Sequence, residues 1–324
     1  MNRLFTIAAY FYKGYCSASV VCVWYKAIRA PIGISTLFSR LLHFRFIPIV
    51  LAVCWLVYAN ISFPEYQQFE TNLLNTLLGL VGAIFANLSG AGGGVVFIPV
   101  FNHLGLSEAQ AVSTSFGIQS FGMTAGAITW SLYYLCRHRH DPKWISFAQI
   151  ILLVGVTSAL GIWAQHLLAI GGGTSLAHQF SWFSIALGLS LLIQIYWIKI
   201  KADNHSHLKS ADYLMLSIIG LFGGIITALL SVGVGEILVL YLIFRGFCVT
   251  MAIASAVVVT AITVWAAAPI HLGEQGAVVW DIVMYAGPSA IIGGIIASTI
   301  ATYINTKALK TVLGLWILVM GLVG

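Results

Sequence analysis

Two glycine-rich segments and one acidic residue are the features of this sequence best suited to chemistry. The segments cover residues 89–94 and 231–235, and each is followed by a short apolar stretch, 95–104 and 236–244. As a helix, the second stretch would cover about 14 Å, roughly half of a bilayer core. The pattern predicts two half-helices whose N-terminal amides are free, point to the centre of the membrane and bind an anion there.

We expect this anion site to combine the two glycine-rich breaks with hydroxyl groups at the start of the following helix. The predicted substrate-binding residues are Gly90, Gly92, Gly93, Gly94, Ser113, Thr114, Ser115, Gly233 and Gly235. Other polar residues of the long apolar segments, including Gln119 and Thr260, are interpreted as bonding to their own helices. A further set of glycines has helical spacing that favours close helix packing, namely Gly79, Gly82, Gly220 and Gly223.

Glu236 begins the second half-helix, and two interpretations of it stay open. A carboxylate at a helix N-terminus is stabilised by the dipole and by backbone amides, which is a structural role. A carboxyl group inside a membrane can also carry a proton during transport. A fixed negative charge would repel an anion, whereas a protonated carboxyl would not, so we predict proton coupling at Glu236.

The composition predicts an all-α polytopic membrane protein. Hydrophobic residues make up 60% of the 324 positions and charged residues 7%, whereas soluble domains carry about 25% charged residues. The 15 Lys and Arg residues lie between apolar runs, where they set membrane orientation. We therefore expect lipid as the surroundings and no nucleic acid as a partner. Without a P-loop, a metal-ligand spacing or a catalytic motif, the sequence predicts no enzyme, no cofactor and no metal site.

The chain contains an internal repeat at an offset of 141 positions. Residues 72–200 form the first copy and 212–324 the second, after a basic N-terminal region, 1–71, with one transmembrane span at 45–62. Glycines are hard to match by composition alone, and five glycine pairs coincide: Gly79 with Gly220, Gly82 with Gly223, Gly92 with Gly233, Gly94 with Gly235, and Gly105 with Gly246.

The distribution of basic residues predicts the topology. If both glycine-rich hairpins are re-entrant and the N-terminus is cytoplasmic, all 15 Lys and Arg residues fall on the cytoplasmic side. Each copy then holds one re-entrant hairpin and three transmembrane helices. Because three is an odd number, the copies are inverted relative to each other. We predict seven full spans, with the C-terminus in the periplasm of a cell with an inner (plasma) membrane.

The first break and its flanks resemble the TauE/SafE-type family of sulfite exporters. The resemblance covers roughly residues 72–324, and the features that carry it are Gly90, Gly92, Gly93, Gly94, Pro99, Gly105, Ala111, Thr114 and Ser115. It implies a secondary transporter of small anions such as sulfite, sulfoacetate or other organosulfonates. The second copy has fewer glycines in its break and adds Glu236.

The leading hypothesis is a secondary transporter that moves a small anion across the inner membrane by alternating access. Two hairpins that meet from opposite sides can also build a pore, so a passive anion channel is the first alternative. A non-transporting membrane scaffold is the second. The sequence leaves open which anion is moved, whether it is exported or imported, and the oligomeric state.

Overall fold

The computed structural model describes residues 55, 69–168, 176–196, 206–274, 276–303 and 306–323, and the elements within these ranges are helical. Ten helices follow one another: α1 Phe69–Ser89, α2 Gly94–His103, α3 Glu108–Tyr133, α4 Phe147–Leu168, α5 Leu176–Tyr196, α6 Ser210–Leu230, α7 Val234–Phe244, α8 Val249–His271, α9 Trp280–Tyr303 and α10 Thr306–Val323. A π-helical turn, Tyr134–His138, and a 3₁₀ turn, Pro142–Trp144, connect α3 to α4.

The chain divides into two compact units. The smaller unit comprises Met1–Tyr66 and Leu132–Arg139. Its described part contains the π-helical turn, and the rings of Tyr133, just before the turn, and His138 lie 4.7 Å apart. The larger unit comprises Gln67–Ser131 and His140–Gly324 and contains both glycine-rich breaks. The predicted transmembrane span at 45–62 lies, apart from Trp55, outside the described residues.

The helices of the larger unit have the length and surface of membrane spans. Within the described ranges, four are long and apolar enough to cross a bilayer: Pro142–Leu168, Ser210–Leu230, Val249–His271 and Trp280–Ala301. Large hydrophobic side chains on them are exposed, such as Leu152, Phe222 and Ile292. Water does not tolerate such continuous apolar surfaces on a monomer, whereas lipid does. The chain is therefore a multi-pass membrane protein.

Glycines let α1 pack closely on α9 and α6 on α4. In both interfaces a glycine lies against a carbonyl oxygen and a hydroxyl group of the neighbouring helix. A Cβ at Gly79 would overlap the carbonyl oxygen of Ala286 and the hydroxyl of Ser289. At the matching glycine, Gly220, a Cβ would overlap the hydroxyl of Thr157 and lie 3.0 Å from the carbonyl oxygen of Val154. Small residues let membrane helices approach this closely. Each first helix of a copy thus packs on the fourth helix of the other copy.

The last helix of each copy packs on its counterpart, and the two run antiparallel. Gly188 of α5 lies against Gly314 and Leu318 of α10, whereas Gly321 of α10 lies against Ser184 and Ile185 of α5. Residue numbers therefore rise along one helix as they fall along the other.

The two short helices, Gly94–His103 and Val234–Phe244, lie close to the predicted half-helices at 95–104 and 236–244. The two short helices, α2 and α7, follow breaks at the predicted positions, and three longer helices follow each of them. Gly82 and Gly223 serve packing, as predicted, because a Cβ would meet Phe97 in one case and Val234 in the other.

Candidate functional site

The two glycine-rich breaks cross each other inside the protein. A Cβ at Gly94 would lie 2.5 Å from the carbonyl oxygen of Ser231, and a Cβ at Gly235 would overlap the carbonyl oxygen of Gly90. These two contacts are equivalent under the offset of 141, since Gly90 matches Ser231 and Gly94 matches Gly235. Gly90, with φ +77°, and Ser231, with φ +59°, form the turns that let the chain reverse here.

Glu236 joins the two breaks through one carboxylate. Its Oε1 accepts a hydrogen bond of 2.8 Å from the amide of Gly92, and its Oε2 accepts one of 2.8 Å from the amide of Gly233. These two glycines are equivalent positions of the two copies. The carboxylate therefore lies between the two breaks, and Glu236 is buried with 4% exposure.

Gln119 of α3 completes the first break, a role the sequence analysis missed. Its Oε1 accepts a 2.8 Å bond from the amide of Gly93. Its Nε2 donates to the hydroxyls of Ser231, at 2.8 Å, and Ser115, at 3.0 Å. The signal in the sequence is a long amide side chain within an apolar helix. The predicted bond within the helix is present, to Ser115, and the bonds to Gly93 and Ser231 are the ones the sequence does not predict.

The second break is completed differently. The amide of Val234 donates to the hydroxyl of Thr227 at 2.9 Å. Thr260 of α8 occupies the position equivalent to Gln119, and its hydroxyl lies against Gly235, where a Cβ would be 2.5 Å from its oxygen. That oxygen is buried without a hydrogen-bond partner among the described residues.

Four amides at the starts of the half-helices are thus occupied, whereas the sequence predicted them to be free. Those of Gly92 and Gly233 bind Glu236, that of Gly93 binds Gln119, and that of Val234 binds Thr227. At the crossing, the amides of the two breaks are thus bound by a carboxylate of the protein itself.

Ser113, Thr114 and Ser115, near the start of α3, have different hydrogen-bond partners. Ser115 reaches the crossing through Gln119 and Ser231. The hydroxyl of Ser113 lies 3.3 Å from the Nδ1 of His271, and that of Thr114 accepts a 3.0 Å bond from the amide of Val279. Within the described structure, one member of the predicted trio therefore joins the glycine-rich breaks.

An ion pair joins the start of α6 to the end of α7, away from the glycine-rich break. Asp212, near the start of α6, is 1% exposed and accepts bonds from Arg245, which follows α7. The bonds are 2.6 Å from Nε and 3.0 Å from an Nη, and the hydroxyl of Tyr241 adds a third at 2.6 Å. The nearby carboxylate raises the pKa of Arg245 above its usual value. The pair ties the beginning and the end of this hairpin together.

No cluster of three His, Cys, Asp or Glu side chains suited to a metal ion occurs in the part of the chain that the structure describes. The donor set at the crossing consists of amides and hydroxyls around a single carboxylate. Such a set binds oxyanions through hydrogen bonds, whereas hard cations prefer several oxygen ligands that carry charge.

A family model matches most of the chain. Residues 75–323 match the family model described as sulfite exporter TauE/SafE, which covers both breaks and all the longer helices described here. The searches of curated proteins and of solved structures found no match. With more than half of its length matched, the chain belongs to the sulfite exporter TauE/SafE family, a family of membrane transporters.

Proposed function

We propose that this protein is a secondary transporter that moves a small anion, such as sulfite or an organosulfonate, across the inner membrane. The substrate binds at the crossing of the two breaks, and this site opens first to one side of the membrane and then to the other. Membership of the sulfite exporter family supports the transporter class and the small anion. We further propose alternating access, a location in the inner membrane and coupling of transport to protons.

In this proposal the two copies are inverted, and each contains a re-entrant hairpin. The antiparallel packing of α5 on α10, with reciprocal contacts at Gly188 and Gly321, supports the inversion. A two-fold axis between antiparallel membrane helices lies in the plane of the membrane, as in many secondary transporters. The ion pair of Asp212 with Arg245 supports the re-entrant path, because it holds both ends of the second hairpin together.

The observation that carries the proposal is the bridge made by Glu236. One carboxylate receives the amides of Gly92 and Gly233, which are equivalent residues of the two copies. An oxyanion could accept the same two bonds, because sulfite and a carboxylate both present oxygens with a shared negative charge. Substrate and carboxylate therefore compete for one position.

Protonation of Glu236 resolves that competition and couples transport to protons. A neutral carboxyl group attracts the two amides less strongly than a carboxylate does, and it does not repel the substrate. The substrate binds at Gly92 and Gly233 when a proton is bound to Glu236. In the substrate-free return step, the carboxylate resumes the bridge. The surrounding backbone and hydrogen bonds are shaped by Gly90, Gly93, Gly94, Gly235 and Ser115. Ser113 and Thr114 precede Ser115 in α3 and bond to His271 and to the amide of Val279.

The test is sulfite uptake into proteoliposomes that contain the purified protein, with and without an imposed pH gradient. For the wild type we expect saturable uptake that a pH gradient drives against the sulfite gradient. Glu236→Gln should lose the response to the pH gradient, because an amide side chain does not titrate. Glu274→Gln is the matched control, since this exposed carboxylate lies far from the crossing in sequence and follows α8.

Two results would contradict the proposal. Uptake that rises linearly with concentration and never exceeds the external level would indicate a passive channel. Full pH-gradient dependence in Glu236→Gln would disprove the coupling role while leaving the transporter class intact.

A further inference from the structure

We propose that the hydroxyl of Thr260 is a direct ligand of the transported anion at the N-terminus of α7. This inference rests on the proposed function, and it adds a specificity-determining residue that the glycine pattern does not contain. The hydroxyl is the third donor, beside the amides of Gly92 and Gly233.

The state of the Thr260 hydroxyl is the first observation. Thr260 is 1% exposed, and its oxygen has no partner in the described structure. Its neighbours on α8 behave differently, because Ser255 bonds to the carbonyl oxygen of Met251 at 2.8 Å and Thr263 to that of Val259 at 2.9 Å. A buried hydroxyl without a partner is costly, and its retention calls for a partner that is bound only part of the time.

The position of that hydroxyl is the second observation. It lies against Gly235, in the first turn of the 11-residue helix α7. The next residue, Glu236, already brings a negative group to this helix start, so the site accepts an anion. A threonine hydroxyl rotates freely enough to donate to an oxygen that arrives there.

The two copies differ at this point in a way that identifies the open subsite. Gln119, at the equivalent position of α3, is engaged with Gly93, Ser115 and Ser231. The first half-helix is therefore completed by the protein. The second half-helix retains an unfilled hydrogen-bonding group, and we assign to it an oxygen of the substrate.

The experiment measures anion affinity of the full-length purified protein in detergent by isothermal titration and by thermal stabilisation. The probes are sulfite, sulfate and sulfoacetate, and the anion that stabilises the wild type most is then titrated into three variants. Thr260→Val removes the hydroxyl at nearly constant volume, and Thr260→Ser keeps it. Thr263→Val is the matched control, because its hydroxyl already bonds to Val259 and Ser158.

We expect Thr260→Val to weaken anion binding about tenfold, the effect of one lost hydrogen bond to a charged group, and Thr260→Ser to bind as the wild type does. Without anion, the melting temperature of Thr260→Val should equal or exceed that of the wild type, because an unpaired hydroxyl is removed. Thr263→Val should instead melt at a lower temperature and bind the anion with unchanged affinity.

The outcomes separate this inference from the proposed function. Equal affinity of Thr260→Val and the wild type would overturn the inference alone and would mean that the hydroxyl meets a buried water only. Equal losses in Thr260→Val and Thr263→Val would also overturn it, because the effect would then be general to α8. No stabilisation of the wild type by any of the three anions would overturn the proposed function, and this inference with it.

Discussion

The two glycine-rich breaks share one backbone crossing but carry different side chains. Gly94 meets Ser231 as Gly235 meets Gly90, so the crossing is the same seen from either copy. The acidic side chain, in contrast, comes from Glu236 of the second copy, and the first copy has Val95 at the equivalent position. The copies are alike in packing and unlike in chemistry.

This difference follows from the position of the carboxylate. A group near a two-fold axis touches equivalent atoms of both copies, as Glu236 touches the amides of Gly92 and Gly233. One side chain therefore satisfies both breaks, and a second would compete for the same space and add a like charge. With Val95 in the first break and Glu236 in the second, one carboxyl group lies at the crossing.

The largest expected effect comes from giving the first copy its own carboxylate. Val95 is 4% exposed, and Val95→Glu would bring two negative groups to one pair of amides. We expect a loss of about 4 kcal/mol in the free energy of unfolding, because one buried charge stays uncompensated. The measurement is the melting temperature of the detergent-purified protein.

The double variant Val95→Glu/Glu236→Val turns that result into a test of the symmetry. It moves the carboxylate to the other copy, and if the axis relates the breaks, it should recover most of the lost stability. The expected coupling between the two sites is about 2 kcal/mol or more. Additive losses in the double variant would mean that the first break cannot hold a carboxylate as the second does.

A smaller effect is expected from the amide that completes the first break. Gln119→Met keeps the volume but leaves the amide of Gly93 without its partner, whereas the hydroxyl of Ser231 keeps its bond to Ser115. Burying this amide unpaired should cost about 2 kcal/mol of stability, again read from the melting temperature. The control is Ser120→Ala, whose hydroxyl bonds within its own helix to Gly117 at 2.7 Å. Equal shifts for the two variants would refute the role given to Gln119.

Much of this architecture could be predicted from the sequence, because glycines and apolar lengths are local signals. The repeat offset located the breaks and both half-helices, and Glu236 stood at the start of α7 as expected. The reach of its carboxylate to Gly92 could not be predicted, because the two residues are 144 positions apart. That bond depends on the crossing of two breaks, which is a tertiary feature.

The roles of Gln119 and Thr260 were inaccessible for a related reason. Polar side chains in apolar helices usually bond to the preceding turn, and Ser255 and Thr263 do so. Whether a given side chain bonds outside its own helix depends on the groups that face it from the neighbouring helix. Sequence alone predicts the bonds within each helix, including that of Gln119 to Ser115. It does not predict the further bonds of Gln119 to the breaks or the unpaired hydroxyl of Thr260.

The smallest expected effect concerns the ends of the two helix pairs, α1 with α2 and α6 with α7, that lie away from the glycine-rich breaks. In the second hairpin the buried carboxylate of Asp212 is held by Arg245 and by the Tyr241 hydroxyl. Tyr241→Phe removes one of these bonds while the ion pair remains. We expect a loss of about 1 kcal/mol in the free energy of unfolding, the usual effect of one hydrogen bond, measured as a lower melting temperature.

The control for this loss is Tyr213→Phe in α6, next to Asp212, because Tyr213 is 42% exposed and should tolerate the change. The first hairpin has Val100 and Leu104 at the positions of Tyr241 and Arg245, so no comparable polar bond can form there. If the ion pair of Asp212 with Arg245 has a structural role only, Tyr241→Phe should lower stability without changing the pH dependence of uptake. A change in that pH dependence would mean that the outer end of the hairpin takes part in the proton step at Glu236.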